Sequence, residues 1–200
     1  MIHLYQHPKN NAPIFLLLHG TGGDEHDLVP FINTILPDAG YLSVRGEVNE
    51  NGLNRFFKRI RPGVFDLEDL AIRTEHLDQF LTEASKQYQF NRSSLIALGY
   101  SNGANIAANV LLTKGAVFKA ALLMHPMVPR RDIQTVDLKQ TPILITAGQH
   151  DAMCPISETK ELEKILTGFN AKVQLEWFAG GHEITTAEVK IISEFTKALN

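Results

Sequence analysis

The sequence predicts an α/β fold, a mostly parallel sheet with helices on both faces. Three observations carry that expectation. Short apolar runs alternate with longer segments of helical period. The runs are apolar at successive positions, as strands covered on both faces are. Glycine-rich stretches follow several of them directly.

Taken in order, Ile2 to Gln6 suits an antiparallel edge strand, and Ile14 to Leu18 is the first fully apolar run. Tyr41 to Val44, Leu95 to Leu98, Ala120 to Met124, Ile143 to Thr146 and Val173 to Phe178 repeat the type, which makes six strand candidates. Asp24-Glu25-His26-Asp27 reads as acidic residues stabilising a helix N-terminus. Leu67, Leu70, Ala71, Thr74, Leu77, Leu81, Ala84 and Tyr88 fall on one helical stripe, and Leu162, Ile165, Leu166 and Phe169 on another. The last helix has a start signal: Thr185 and Glu188 have capping-box spacing, with Ile184 and Val189 placed to staple across it. There is no internal repeat and no low-complexity segment. With 200 residues, 44% hydrophobic and 20% charged, the chain can bury one substantial core, so a single domain over residues 1–200 is expected.

Composition excludes several classes. A net charge of −3 offers no general attraction for nucleic acid or an anionic membrane. The one cysteine, Cys154, cannot form an internal disulfide, and Met1 to Pro8 lacks a charged segment followed by a long apolar one. The expected location is cytoplasmic. No apolar run approaches the roughly 20 residues needed to cross a bilayer, so membrane insertion is not expected.

In open α/β sheets ligands bind beyond the carboxyl ends of the strands. Four such ends carry His19-Gly20-Thr21-Gly22-Gly23, Gly99-Tyr100-Ser101-Asn102-Gly103, Gly148-Gln149-His150-Asp151 and Gly180-Gly181-His182. Gly-x-Ser-x-Gly alone is a weak pattern, and its bland reading is a glycine-flanked turn. Here a strand precedes it and a helix follows, the context of a nucleophile on a tight elbow. A serine hydroxyl needs a base to take its proton and a carboxylate to orient that base. Asp151 and His182 follow in the order Ser, Asp, His. His182 competes with His19, His125 and His150 for the base, and Asp151 with Asp132 and Asp137 for the acid. Only His182 lies in a glycine-rich loop between the last strand and the last helix. The backbone N–H groups of Thr21 and Asn102 are the candidate oxyanion donors. No histidine spacing suggests a metal, and none is expected.

These residues carry a family resemblance. His19-Gly20-Thr21-Gly22-Gly23, Gly99-Tyr100-Ser101-Asn102-Gly103, Asp151 and Gly181-His182 resemble the phospholipase/carboxylesterase group of α/β-hydrolases, the acyl-protein thioesterase relatives, nearly end to end. Arg45-Gly46-Glu47, Arg55-Phe56-Phe57-Lys58-Arg59 and Tyr100-Ser101-Asn102-Gly103-Ala104-Asn105 resemble a compact bacterial branch, some of whose members are named as methylhydroquinone-linked hydrolases. The resemblance implies an α/β-hydrolase fold, no cofactor, and a monomer or homodimer. Thr21 and Asn102 stand where better-known thioesterases commonly have leucine and glutamine, which leaves the backbone donors intact and alters the pocket. A serine rather than a cysteine at 101 argues against the dienelactone hydrolases that share this architecture.

No large insertion separates the later strands, so no bulky lid domain is expected. The long loop between Gly46 and Asp66 should touch the substrate. Phe56 and Phe57 are candidates for one pocket wall, and Met124 and Met127, beside Pro126, for the other; core packing is the competing role. Arg55, Lys58, Arg59 and Arg61 face either an acidic substrate group or solvent. Cys154 is either a redox handle or a small buried apolar group. The expected function is a serine carboxylesterase acting on small carboxylic esters or thioesters through an acyl-enzyme. The alternatives are lysophospholipase, acyl-protein thioesterase or peptide-bond chemistry on the same triad and, from another class, a small-molecule receptor with a vestigial triad.

Overall fold

The computed structural model describes residues 1–199; residue 200, the last of the domain expected over residues 1–200, lies outside them. The elements run β1 (His3–Gln6), β2 (Ile14–Leu18), α1 (Val29–Ile35), β3 (Gly40–Val44), β4 (Val48–Glu50), β5 (Leu53–Arg55), β6 (Arg59–Arg61), β7 (Val64–Phe65), α2 (Leu67–Gln87), β8 (Ile96–Tyr100), α3 (Asn102–Lys114), β9 (Ala120–Met124), β10 (Pro142–Gly148), α4 (Ile156–Gly168), β11 (Lys172–Phe178) and α5 (Thr186–Lys197).

Seven strands pair in the order β1-β3-β2-β8-β9-β10-β11. β1 is antiparallel to β3, and every other pair in this sheet is parallel. All six expected strands and the edge strand are therefore present. β2, β3 and β9 are buried at every position because helices cover both faces. Leu16, Leu18, Leu42, Ala97, Leu123 and Ile145 pack against α2, α3 and α4, whereas the alternate residues Phe15, Leu17, Tyr41, Leu98, Leu122 and Leu144 meet α1 and α5. The side-chain period of two along each strand produces this division.

Three expectations change. In α2 the buried stripe is Leu70, Thr74, Leu77, Leu81 and Ala84; Leu67 and Ala71 are exposed, Leu67 because it occupies the uncovered first turn behind the Asp66 cap. Asp24 to Asp27 do not form a first helical turn, for α1 begins at Val29. Glu25 is buried and holds Arg45 through bonds of 2.5 and 2.8 Å, and Asp24 accepts from His26 N–H. The stretch from Gly46 to Asp66 is two hairpins, β4-β5 and β6-β7, and not a featureless loop. Asn51 and Gly52 take φ of 53° and 89°, the left-handed pair that an Asn-Gly turn favours, and Pro62-Gly63 makes the second turn. The capping box at Thr185 and Glu188 forms as expected, with Ile184 and Val189 against the same apolar cluster.

Candidate active site

β8 ends at Tyr100 and α3 begins at Asn102, so Ser101 alone makes the turn, at φ 52° and ψ −113°. Such a backbone costs a non-glycine residue about 1–3 kcal/mol and persists only where its surroundings impose it. Here Ser101 N–H donates to Met124 O at 2.9 Å, and Ser101 O accepts from Asn105 N–H at 2.9 Å. The flanking glycines let the segments close: a Cβ on Gly99 would sit 2.6 Å from Ala104 N, and one on Gly103 only 2.0 Å from Leu18 O.

The elbow presents the hydroxyl to His182, whose Nε2 lies 2.8 Å from Ser101 Oγ. On the far side of the ring, Nδ1 is 2.6 Å from Asp151 Oδ2. Asp151 Oδ1 accepts from the N–H groups of Met153 and Cys154 at 2.8 and 2.9 Å. Burial works against the Asp151 charge, but the bonds from His182 and Cys154 N–H outweigh it and hold the carboxyl below its usual range. Tyr100 Oη donates to His182 O at 2.6 Å, pinning the loop. Burial, then the nearby Asp151 and Glu188 charges, push this phenol up to about 12, so it stays a donor. The arrangement can pass a proton from Ser101 to a histidine of fixed tautomer.

The rival groups are placed elsewhere or differently. His19 is buried, with Nδ1 2.6 Å from Gly20 O and Nε2 accepting Gly46 N–H at 3.0 Å; burial holds its pKa below the ordinary value, and it ties two loops together as a neutral ring. His150 is exposed. Asp132 is exposed and bonds Arg130, while Asp137 caps Lys139 N–H on the surface. His125 does reach the site, at 3.1 Å from Asp151 Oδ2.

Thr21 and Asn102 both line the cleft beside Ser101, and neither backbone N–H has a hydrogen-bond partner among the described residues. Asn102 opens α3, so its N–H also carries the positive end of the helix dipole. The side chains of Asn102 and Asn105, one turn apart, have a separate task. Asn102 Oδ1 accepts from Phe56 N–H at 2.7 Å and Asn105 Oδ1 from Met127 N–H at 2.8 Å, so the helix that follows the serine holds both walls of the cleft.

The cleft encloses about 660 Å³. Met127 lines it, as expected. Phe56, Phe57 and Met124 do not: they are 1%, 0% and 0% exposed and belong to the core clusters on the two sheet faces. The ring of Phe56 packs on His19 and that of Phe57 on Phe65, so backbone direction sends them inward. Phe65, Met153, Pro62 and Pro155 supply the apolar surface instead. The Pro62-Gly63 turn was a readable signal for one of these walls. The basic cluster divides. Arg55 and Arg59 line the cleft, whereas Lys58 and Arg61 are exposed. Arg55 is 3% exposed and donates to Thr21 Oγ1 and Phe57 O. Cys154 is buried, with Sγ 3.2 Å from His125 O, and burial pushes its thiol up, which keeps it neutral.

His125, Asp151 and His182 each place one ligating atom within 4.8 Å of the others. Ligands at zinc distances of about 2.1 Å in a tetrahedron stand roughly 3.4 Å apart. His182 Nδ1 and Asp151 Oδ2, at 2.6 Å, are instead hydrogen-bonded to each other.

The profile of the dienelactone hydrolase family matches residues 3–196. A Bacillus subtilis (strain 168) protein named as a hydrolase, MhqD, is 47% identical over 197 residues, 98% of each chain. Among solved structures, a Bacillus cereus carboxylesterase superposes with a TM-score of 0.95 at 45% identity, covering 99% of this chain and 94% of that one. YahD, solved with malic acid, gives 0.94 at 29% identity, covering 100% and 99%. The expectation that a serine at 101 argues against the dienelactone hydrolases is thereby corrected. One side-chain atom at the elbow does not outweigh a match along residues 3–196.

Proposed function

The chain belongs to the dienelactone hydrolase family, as a hydrolase of the carboxylesterase type, and we propose that it cleaves small carboxylic esters or thioesters through an acyl-enzyme on Ser101. The observation that supports this reading is the unbroken line Ser101 Oγ, His182, Asp151, at 2.8 and 2.6 Å, beside two unpartnered backbone N–H groups.

As Ser101 Oγ attacks the carbonyl carbon, its proton passes to His182 Nε2, and Asp151 stabilises the imidazolium. The carbonyl oxygen becomes an oxyanion held by the N–H groups of Thr21 and Asn102. Collapse expels the alcohol or thiol, which takes the proton from His182. Water then enters, gives a proton to His182 as its oxygen attacks the acyl carbon, and the acid leaves with Ser101 reprotonated. The residues of this chain supply every proton transfer.

The substrate is a small molecule. The Arg55 and Arg59 side chains on the cleft wall favour short, polar acyl or leaving groups over long fatty chains. Malic acid in the YahD structure is a ligand of that kind. We place the enzyme in the cytoplasm on the strength of its one unpaired, buried cysteine. Among the described residues no helix is long and apolar enough to cross a membrane.

The test is hydrolysis of p-nitrophenyl esters from acetyl to dodecanoyl by the native protein and by folded Ser101→Ala and His182→Ala variants. Turnover with an optimum at short chains, reduced on the order of a thousandfold in each variant, supports the reading. Activity that survives without Ser101, or ligand binding with no turnover, refutes it.

A further inference from the structure

We propose that His125 is a positioning residue of this site: an imidazolium clamped between Asp151 and Glu188 that fixes the acid of the triad and sets the pH range in which His182 acts as a base. The inference rests on the reading of Ser101, Asp151 and His182 as a triad.

His125 follows β9 at φ 51°, is 1% exposed, and donates its N–H to Thr146 O at 2.8 Å. Its Nδ1 lies 3.1 Å from Asp151 Oδ2, and its Nε2 3.3 Å from Glu188 Oε2. Both carboxyl groups are otherwise surrounded by donors. Asp151 accepts from His182, Met153 N–H and Cys154 N–H. Glu188, 0% exposed, accepts from Thr146 Oγ1 at 2.5 Å and Thr185 N–H at 3.3 Å. A neutral imidazole has one N–H and one lone pair, and that lone pair would face a carboxylate oxygen in a dry interior. With both carboxyls ionised, the doubly protonated ring is the form that satisfies both sides.

The groups around His125 come from several elements. Asp151 stands in the loop after β10, Glu188 on α5, and Tyr100 on β8 with its ring 6.0 Å away. The His182 ring is 5.3 Å away, Cys154 Sγ touches the His125 carbonyl, and Glu183 lies in the loop that carries His182. Burial by itself would drive the proton off, but the bonds and charges of Glu188 and then Asp151 outweigh it and hold His125 above its ordinary range. A fixed positive ring beside Asp151 reduces the attraction that the acid exerts on a protonated His182. Glu188 belongs to the first turn of α5, so the same chain of bonds ties the helix after the His182 loop to the acid.

The first measurement is a proton–nitrogen NMR spectrum of the histidine rings of the native protein between pH 5 and 9. Two ring N–H groups on His125 at pH 8, well above the ordinary histidine value of about 6.5, are expected. A single ring N–H there overturns the proposal. This readout does not depend on turnover, so it stays separate from the esterase test: a failure of Ser101 to matter removes the triad, and a neutral His125 removes only the clamp. The second measurement is the pH dependence of kcat/KM for p-nitrophenyl acetate in His125→Gln and in His125→Gln with Glu188→Gln, the latter leaving no buried carboxylate unpaired. The acid limb should move up by about one pH unit in His125→Gln and by less, still upward, in the double variant, which removes the Glu188 charge as well. A rate that falls equally at every pH, with the limb in place, reduces His125 to a structural role and refutes the proposal. Should the single variant not fold, the double variant and the native spectrum decide.

Discussion

Replacing Gly103 by alanine adds one carbon at the tightest contact behind the elbow. That Cβ would lie 2.0 Å from Leu18 O, whereas ordinary contact begins at 3.4 Å, so the end of β2 and the first turn of α3 must separate by 1.4 Å. Both oxyanion candidates are attached to the parts that move: Thr21 three residues beyond β2, and Asn102 at the start of α3. Overpacking of this kind costs about 1–3 kcal/mol, and with backbone on both sides of the contact the upper figure applies. At roughly 2–4 °C per kcal/mol for a chain of this size, the melting temperature should fall by about 6–12 °C. A displacement near 1 Å at the reacting groups costs about a hundredfold in rate. Circular-dichroism melting together with kcat/KM for p-nitrophenyl acetate reads both effects. Gly168→Ala is the control, since nothing lies within 4 Å of a Cβ there and its effect should stay within about 1 kcal/mol. A Gly103→Ala protein that melts within about 2 °C of native and keeps its rate would refute the overpacking expected at Leu18 O.

Asp151→Asn keeps the shape and the acceptor for Met153 and Cys154 N–H but removes the charge facing His182; kcat should fall about 10⁴-fold with the fold intact, and steady-state kinetics will show whether it does. Cys154 should resist iodoacetamide in the native state and react on unfolding, as followed by intact mass; rapid native labelling would contradict a buried neutral thiol. Stability should fall on acidification in two stages. Burial depresses His19, so its contribution is complete above about pH 6.5 and is lost as pH drops through its lowered value. Asp151, held low by His182 and Cys154 N–H against its burial, adds stability that is lost below about pH 3.9. Because His125, held high, gains stability over part of the same window, the His19 share is read against His19→Gln; an identical pH dependence of melting in the two proteins between pH 7 and 4 would contradict the His19 assignment.

Much of this was legible in the sequence because parallel strands buried on both faces are written as unbroken apolar runs, and because catalytic groups follow strand ends. Ser101, Asp151 and His182, which the fold brings into one hydrogen-bonded line, could be singled out by motif, order and position at strand ends. The pocket walls could not. Phe56 and Phe57 are adjacent aromatic residues in a region that does form a wall, yet both turn inward, while Arg55 beside them lines the cleft. Their directions depend on the Gly46 contact, where a Cβ would lie 2.3 Å from Arg55 C, and on the bond from Phe56 N–H to Asn102, both between residues distant in sequence. His125 was visible only as a rival base. Its partnership with Glu188 spans 63 residues, and the capping-box spacing alone already accounts for a glutamate at 188.

Glu188 illustrates how a residue loses its freedom to vary. Its side chain closes the capping box with Thr185, accepts from Thr146 and faces His125, all with the same two oxygens. With His125 in place, glutamine keeps the length and can still reach the cap, but it turns an amide toward donors. Aspartate keeps the charge but is one carbon too short to span the three partners. Thr185, whose hydroxyl serves only the helix start, can be exchanged for serine or aspartate at the modest expense typical of caps. A saturation library covering both positions should therefore recover several functional residues at 185 and glutamate almost alone at 188, although in the isolated helix the two positions form one interchangeable motif.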